Sequence, residues 1–301
     1  MEQQLLKDEI SRLRKLKNAV VLAHYYTDSQ IQDIADFVGD SLALAQWAAK
    51  TEADIIVMCG VNFMAETCKI LNPKKKVLVP DANAGCSLAD SMNAAQLKAF
   101  IDANPGYKVV SYVNTTAEVK ALSDVVVTSS NAEKVVECFP KDEKLIFGPD
   151  RNLGAYINEQ TGREMLVWDG GCHVHSGFTP EEVKKLKAMH PKAEVLVHPE
   201  CPKEIQKLAD RIGSTADLLK YSQKSDVAEF IVATENGVIH KMKEASPDKT
   251  FYKVGSVCDF MRLNTLEKLY QALLNEQPEV IVDSTLAEKA LAPIKKMLEL
   301  S

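Results

Sequence analysis

Short runs of Val, Ile and Leu alternate along this chain with helix-length stretches whose apolar residues recur every three or four positions. The runs predict buried strands and the stretches amphipathic helices, so the alternation predicts βα units around a mainly parallel sheet. The alternation also repeats. Strands are expected over 20–24, 109–114 and 195–198, each followed by a helix and a small-residue turn containing Ser41, Ser129 or Ser214. Second strands are expected over 55–58, 145–147 and 230–233, and third strands over 77–79, 165–167 and 251–254. Beyond the third strands stand Cys86, Cys172 and Cys258, 86 residues apart in both intervals. A period of this length is the mark of internal repetition. The expected fold is therefore α/β, with three pseudo-symmetric repeats of a three-layer αβα unit whose mainly parallel sheets surround a central site. The repeats are expected at 1–84, 85–170 and 171–261, with 262–301 packing on the first.

Composition adds exclusions. The chain has 301 residues, 46% hydrophobic and 26% charged, which is ordinary for a folded protein with a buried core. Its net charge of −6 and pI near 5.6 argue against a nucleic-acid partner, because phosphate-tracking surfaces need excess positive charge. No apolar run approaches the ~20 residues that span a bilayer, so no membrane role is expected. Glu2 and Asp8 stand where an export signal has basic and apolar residues, which predicts a cytoplasmic protein. Seven cysteines, an odd number, then read as thiols rather than a disulfide framework.

Three cysteines at equivalent points of three repeats would meet on a pseudo-threefold axis. The plain alternative is that each is a small buried residue at a strand end. Against it, the neighbours vary while the thiol stays: Gly85-Cys86-Ser87, Gly171-Cys172-His173 and Val257-Cys258-Asp259. Three thiolates suit a mononuclear zinc site, or a cubane iron–sulfur cluster with one iron free of protein ligands. No CxxC pair occurs, and Cys59, Cys68, Cys138 and Cys201 fall outside the repeat register, so these four are expected to be structural.

In open α/β sheets ligands bind beyond the carboxyl ends of the strands, where His24, Tyr26, Tyr112, Asn114, His198 and Glu200 also fall. Ser41, Ser129, Ser214 and Thr215 precede amphipathic runs and are plausible helix caps, with the further prospect of binding carboxylate or phosphate at a helix start. Glu200 is a candidate general acid or base, Tyr26 a proton relay and His175 a further active-site group.

These residues carry a resemblance. Ala23-His24-Tyr25-Tyr26, Val38-Gly39-Asp40-Ser41, Tyr112-Val113-Asn114, Gly148-Pro149-Asp150-Arg151-Asn152 and His198-Pro199-Glu200-Cys201-Pro202 are similar to the motifs of the quinolinate synthases, over nearly the whole chain. The resemblance implies a triangular, triplicated fold with a [4Fe–4S] cluster held by Cys86, Cys172 and Cys258, one iron remaining open. It implies condensation of iminoaspartate with dihydroxyacetone phosphate to quinolinate, with loss of phosphate and water, in de novo NAD biosynthesis. A transient contact with the enzyme that supplies iminoaspartate is a further implication. Substrate-binding roles carry over to His24, Ser41, Tyr112, Asn114, Ser129, His198, Glu200, Ser214 and Thr215, and catalytic roles to Tyr26, His175 and Glu200. His173 stands where the family commonly has proline, and no cysteine follows Cys258, so the paired tail cysteines of some members have no counterpart here. Another iron–sulfur dehydratase and a non-enzymatic iron–sulfur sensor are the competing readings.

Overall fold

The computed structural model describes residues 3–255 and 257–301; Met1, Glu2 and Ser256, which belong to the stretches read above as the amino terminus and the third cysteine loop, lie outside them. Twelve strands form three parallel four-stranded sheets among the described residues. The first sheet contains β1 (Ala19–His24), β2 (Phe37–Gly39), β3 (Ile55–Cys59) and β4 (Lys76–Leu78). The second contains β5 (Lys108–Tyr112), β6 (Val125–Val127), β7 (Leu145–Gly148) and β8 (Leu166–Val167). The third contains β9 (Glu194–Val197), β10 (Arg211–Ile212), β11 (Glu229–Ala233) and β12 (Thr250–Lys253). Each sheet has the same order, second–first–third–fourth in chain sequence, and flanking helices complete an α/β protein of three repeated αβα units.

The stretches read as small-residue turns begin as the short edge strands β2, β6 and β10. Their apolar residues pair in parallel with the first strand of the unit, as in Leu22 with Phe37 and Val110 with Val125. The central strands are buried on both faces, which explains their unbroken apolar runs: Ile55, Ile56, Val57, Met58 and Cys59 are all buried. One face of the first sheet is covered by the helix Gln3–Leu16, whose Leu6, Ile10 and Leu13 recur at helical spacing, and by Leu266, Leu269 and Leu273 of the helix Leu266–Asn275. The last helix, Ser284–Glu299, lies against β6 and the helix Asn62–Leu71, joining elements of the first two sheets.

The order second–first–third–fourth places the chain reversal between the first and third strands of each sheet, the crevice where open α/β sheets take ligands. His24, Tyr112 and His198 stand at the ends of the first strands, while Gly60, Pro149 and Thr234 follow the central ones.

Candidate active site

The three crevices open on one cavity of about 720 Å³, counted with its mouth. His24 and Tyr26 from the first unit, Tyr112, Asn114 and Ser129 from the second, and His175, His198, Glu200 and Thr215 from the third all line it. Cys86, Cys172 and Cys258 line the same cavity, and among the described residues no other cysteine does. Of the expected site residues, Ser214 alone is not in the wall. Its N–H donates to Asp217 Oδ2 at 3.3 Å and its hydroxyl accepts from the Asp217 N–H at 3.2 Å, a capping box at the start of the helix Thr215–Lys224.

Capping also accounts for the other hydroxyls. Asp40, not Ser41, caps the helix Ser41–Ala48, and Asn131, not Ser129, holds the cap position of the helix Ala132–Glu137. Their hydroxyls are thereby left to the cavity. Ser129 Oγ lies 3.3 Å from His198 Nε2.

His24 and His198 share one local device. The Tyr26 N–H donates to His24 Nδ1, and the Glu200 N–H to His198 Nδ1, both at 3.2 Å. A ring nitrogen that accepts cannot carry the proton, so each neutral ring presents Nε2–H. Burial pushes both histidines down to about 3, which keeps them neutral donors.

Glu200 is buried and faces three partners. The Tyr112 hydroxyl donates to its Oε1 at 2.6 Å, His175 Nδ1 lies 3.1 Å from Oε2, and His198 Nδ1 stands 3.8 Å from Oε1. The His175 contact lacks the alignment of a hydrogen bond, and this buried nitrogen has no other partner. Burial alone would raise the Glu200 pKa; His175 and the Tyr112 hydroxyl outweigh it and hold the carboxyl below its ordinary range. Burial and the nearby Glu200 charge push the Tyr26 and Tyr112 hydroxyls well above the ordinary phenol range.

Each cysteine of the trio occupies the cap position of a one-turn helix: Ser87–Asp90, His173–Ser176 and Asp259–Arg262. Backbone N–H groups of Leu88 and Ala89, of Val174 and His175, and of Phe260 and Met261 face the three sulfurs and favour thiolate, although none closes a cap hydrogen bond. Burial works the other way and pushes the Cys86 thiol up to about 12, so a metal is the natural partner for these thiolates. Thiolates sharing one tetrahedral zinc stand about 3.8 Å apart, from Zn–S bonds near 2.3 Å. Among the described residues these three sulfurs do not form a set within 4.8 Å, whereas donors of Cys172, His175 and Glu200 do. A set wider than 4.8 Å exceeds the span of one tetrahedral zinc, and Cys172, His175 and Glu200 offer a closer group that could hold a metal ion beside it.

Three residues missed by the sequence reading complete the site. Asp150 and Glu235, both fully buried, lie two residues beyond β7 and β11. Asp150 Oδ2 accepts the Cys172 N–H at 3.4 Å, and Glu235 Oε1 the Cys258 N–H at 3.1 Å. Their separation of 85 residues was the available signal. The corresponding position after β3 is the apolar Val61, and there the Asn62 N–H instead holds Ala84 O at 2.8 Å. The third residue is Thr234, whose hydroxyl lies within hydrogen-bond distance of both Tyr26 and His175.

Three αβα units that close on one buried cavity of thiols, neutral histidines and an ionised carboxylate define an enzyme of small-molecule chemistry. Residues 8–299 match the family model described as Quinolinate synthetase A protein, and the chain belongs to this enzyme family. It is 54% identical over 299 residues to the quinolinate synthase of Trichormus variabilis, covering 97% of this chain and 92% of that one. It is 54% identical to the quinolinate synthase of Synechocystis sp. over 97% of this chain and 94% of that one, and 51% identical to that of Prochlorococcus marinus over 98% and 90%.

Proposed function

We propose that the protein condenses iminoaspartate with dihydroxyacetone phosphate to quinolinate, releasing phosphate and water, as a step of de novo NAD biosynthesis. The observation that carries this reading is the meeting of Cys86, Cys172 and Cys258 with Glu200, His24 and His198 in one cavity. The three cysteines would hold a [4Fe–4S] cluster. When bound, the cluster supplies an iron without a protein ligand, a Lewis acid for a carboxylate or hydroxyl oxygen.

The chain's own groups divide the remaining work. His24 and His198, neutral and with Nε2–H turned inward, donate hydrogen bonds to substrate carboxylate or phosphate oxygens. Ser41, Asn114, Ser129 and Thr215 add neutral donors, which suits an acidic protein binding anions; Ser214 supports them by fixing the helix that Thr215 begins. Glu200, ionised, takes the proton removed during isomerisation and dehydration and returns it to a leaving oxygen. Tyr112 fixes Glu200 Oε1, while His175 stands at Oε2. Tyr26, protonated, moves a proton at its hydroxyl. Holding both substrates in one closed space supplies the proximity that a condensation needs.

The same reading includes a transient contact with the enzyme that forms the unstable iminoaspartate, and a cytoplasmic setting, which suits seven free thiols. It is tested by supplying anaerobic protein with both substrates and measuring quinolinate and phosphate together. One phosphate per quinolinate is expected, and Glu200→Gln should abolish both while leaving the visible spectrum unchanged. Dehydration of a hydroxy acid without phosphate release would instead mark another iron–sulfur dehydratase.

A further inference from the structure

Each unit holds the turn after its first strand in the same way. Eight residues beyond His24, Tyr112 and His198 stand Gln32, Lys120 and Gln206, each buried in the short helix that follows the strand. Gln32 Nε2 donates to Thr27 O at 2.9 Å and Gln206 Nε2 to Cys201 O at 2.8 Å, while Lys120 Nζ donates to Thr115 O. These carbonyls are equivalent, each three residues beyond the histidine or tyrosine. In the second unit Thr115 passes the hold on to the site: its Oγ1 donates to Tyr112 O at 2.9 Å and its N–H to Val113 O at 2.8 Å. Tyr112, Val113 and Asn114 all line the cavity.

A neutral amide does this work in two units, so the turn itself does not require a cation. Burying an ammonium is costly, and Lys120 is fully buried. Its nitrogen stands 5.4 Å from the centroid of the Phe63 ring; Phe63 belongs to the cavity wall and Lys120 does not, so the charge lies one ring behind the wall. Burial lowers the Lys120 pKa to about 8 and the Glu66 charge opposes that fall, so the side chain is protonated at neutral pH. Among the described residues the wall carries Asp40, Glu200, Glu235 and three cysteines but no Lys or Arg. A cavity so lined repels anions unless a positive charge stands close behind it.

We propose that Lys120 is a positioning residue with a second task that its glutamine counterparts lack: it holds the turn of Tyr112 and Asn114, and its buried charge behind Phe63 favours anionic ligands in the cavity. The proposal rests on the reading of the cavity as a site for anionic substrates. A charge in a poorly polarisable interior is little screened by salt, so it acts on a ligand carboxylate or phosphate more strongly than a surface lysine at the same separation. If Lys120 served only as a counterion to Glu66, its loss would weaken all ligands of the cavity alike, whatever their charge.

Lys120→Gln gives the second unit the residue of the other two, keeping a donor for Thr115 O and removing the charge. Lys120→Met removes both, at nearly the same length. The charge is read by the dissociation constants of anaerobic holoprotein for quinolinate, with two carboxylates, and for pyridine-2-carboxylate, with one. In Lys120→Gln the first should rise about tenfold and the second about threefold, because Coulomb energy scales with ligand charge. Lys120→Met should show the same ratio between the ligands, so the test does not depend on the fold of one variant. Urea unfolding should place Lys120→Gln near the parent and Lys120→Met below it. Equal losses for the two ligands, or no loss, would overturn the role of the charge. Inorganic phosphate tests the charge without reference to the reaction: weaker binding in Lys120→Gln supports it and parental binding overturns it, whereas a parent that binds phosphate but no quinolinate counts against the proposed function alone.

Discussion

Glu235 Oε1 accepts the backbone N–H of Cys258 at 3.1 Å and also meets Arg262 Nη2 at 3.3 Å. A buried carboxylate beside a thiolate is unfavourable by charge, so its place is explained by the loop it holds and by the Arg262 cation. Glu235→Ala should lower the iron retained by anaerobically prepared protein to less than about half, in line with lost outer-shell support of a metal ligand. Glu235→Gln, whose amide oxygen can still accept, should retain it. Equal iron in parent and Glu235→Ala would show that the Cys258 loop holds itself.

Cys201 offers the contrasting case. It adjoins Glu200 in sequence, yet it is fully buried, its thiol faces Ala233 O at 3.4 Å, and it is absent from the cavity wall. Cys201→Ala should leave iron and sulfide content unchanged and cost about 1 kcal/mol of stability, as expected for a small core deletion. Loss of iron in this variant would place Cys201 among the ligands.

Gly237 carries the joint between the first and third units. A Cβ there would stand 2.7 Å from both Tyr25 O and Tyr26 Cα, and Gln32 Nε2 bridges Tyr25 O and Gly237 O at 2.8 and 3.0 Å. Since the clash is with backbone, Gly237→Ala should displace Tyr26, costing about 1–3 kcal/mol of stability and lowering kcat. Urea unfolding together with steady-state kinetics checks it; a variant with parental stability and kcat would show that the joint yields freely.

The buried histidines predict an acid-sensitive fold. With folded values near 3 against an ordinary 6.5, His24 and His198 bind fewer protons folded than unfolded. Their contribution is complete above pH 6.5 and is lost as pH falls toward 3, by roughly 1.4 kcal/mol per pH unit for each. Asp150, pushed up to about 7 by burial and by Glu200, contributes in the opposite direction over part of this range. His198→Asn should therefore reduce the loss of unfolding free energy between pH 6 and 5 relative to the parent, as measured by urea titration. An unchanged slope would mean that His198 is protonated in the fold.

Most of the architecture was legible because parallel strands buried on both faces leave continuous apolar runs, and because three equal units repeat that pattern. The cysteine trio was legible for the same reason, standing at a fixed offset from the third strands. The edge strands were harder to see: Arg211 and Ile212 form a two-residue pairing that no propensity marks. Ser214 is the cap its position predicts, whereas Ser41 misled because a hydroxyl before a helix fits equally well one residue inside it, behind the capping Asp40. Thr234 was invisible because its importance lies in two contacts made across long separations, to Tyr26 and His175.

The most direct test of the central claim is the iron and acid-labile sulfide content of anaerobically prepared protein, with its visible spectrum, for the parent and Cys172→Ser. A cubane stoichiometry in the parent that is lost in the variant is the expected result. Zinc, or no metal in either protein, would contradict a three-cysteine cluster and return Cys86, Cys172 and Cys258 to a structural role.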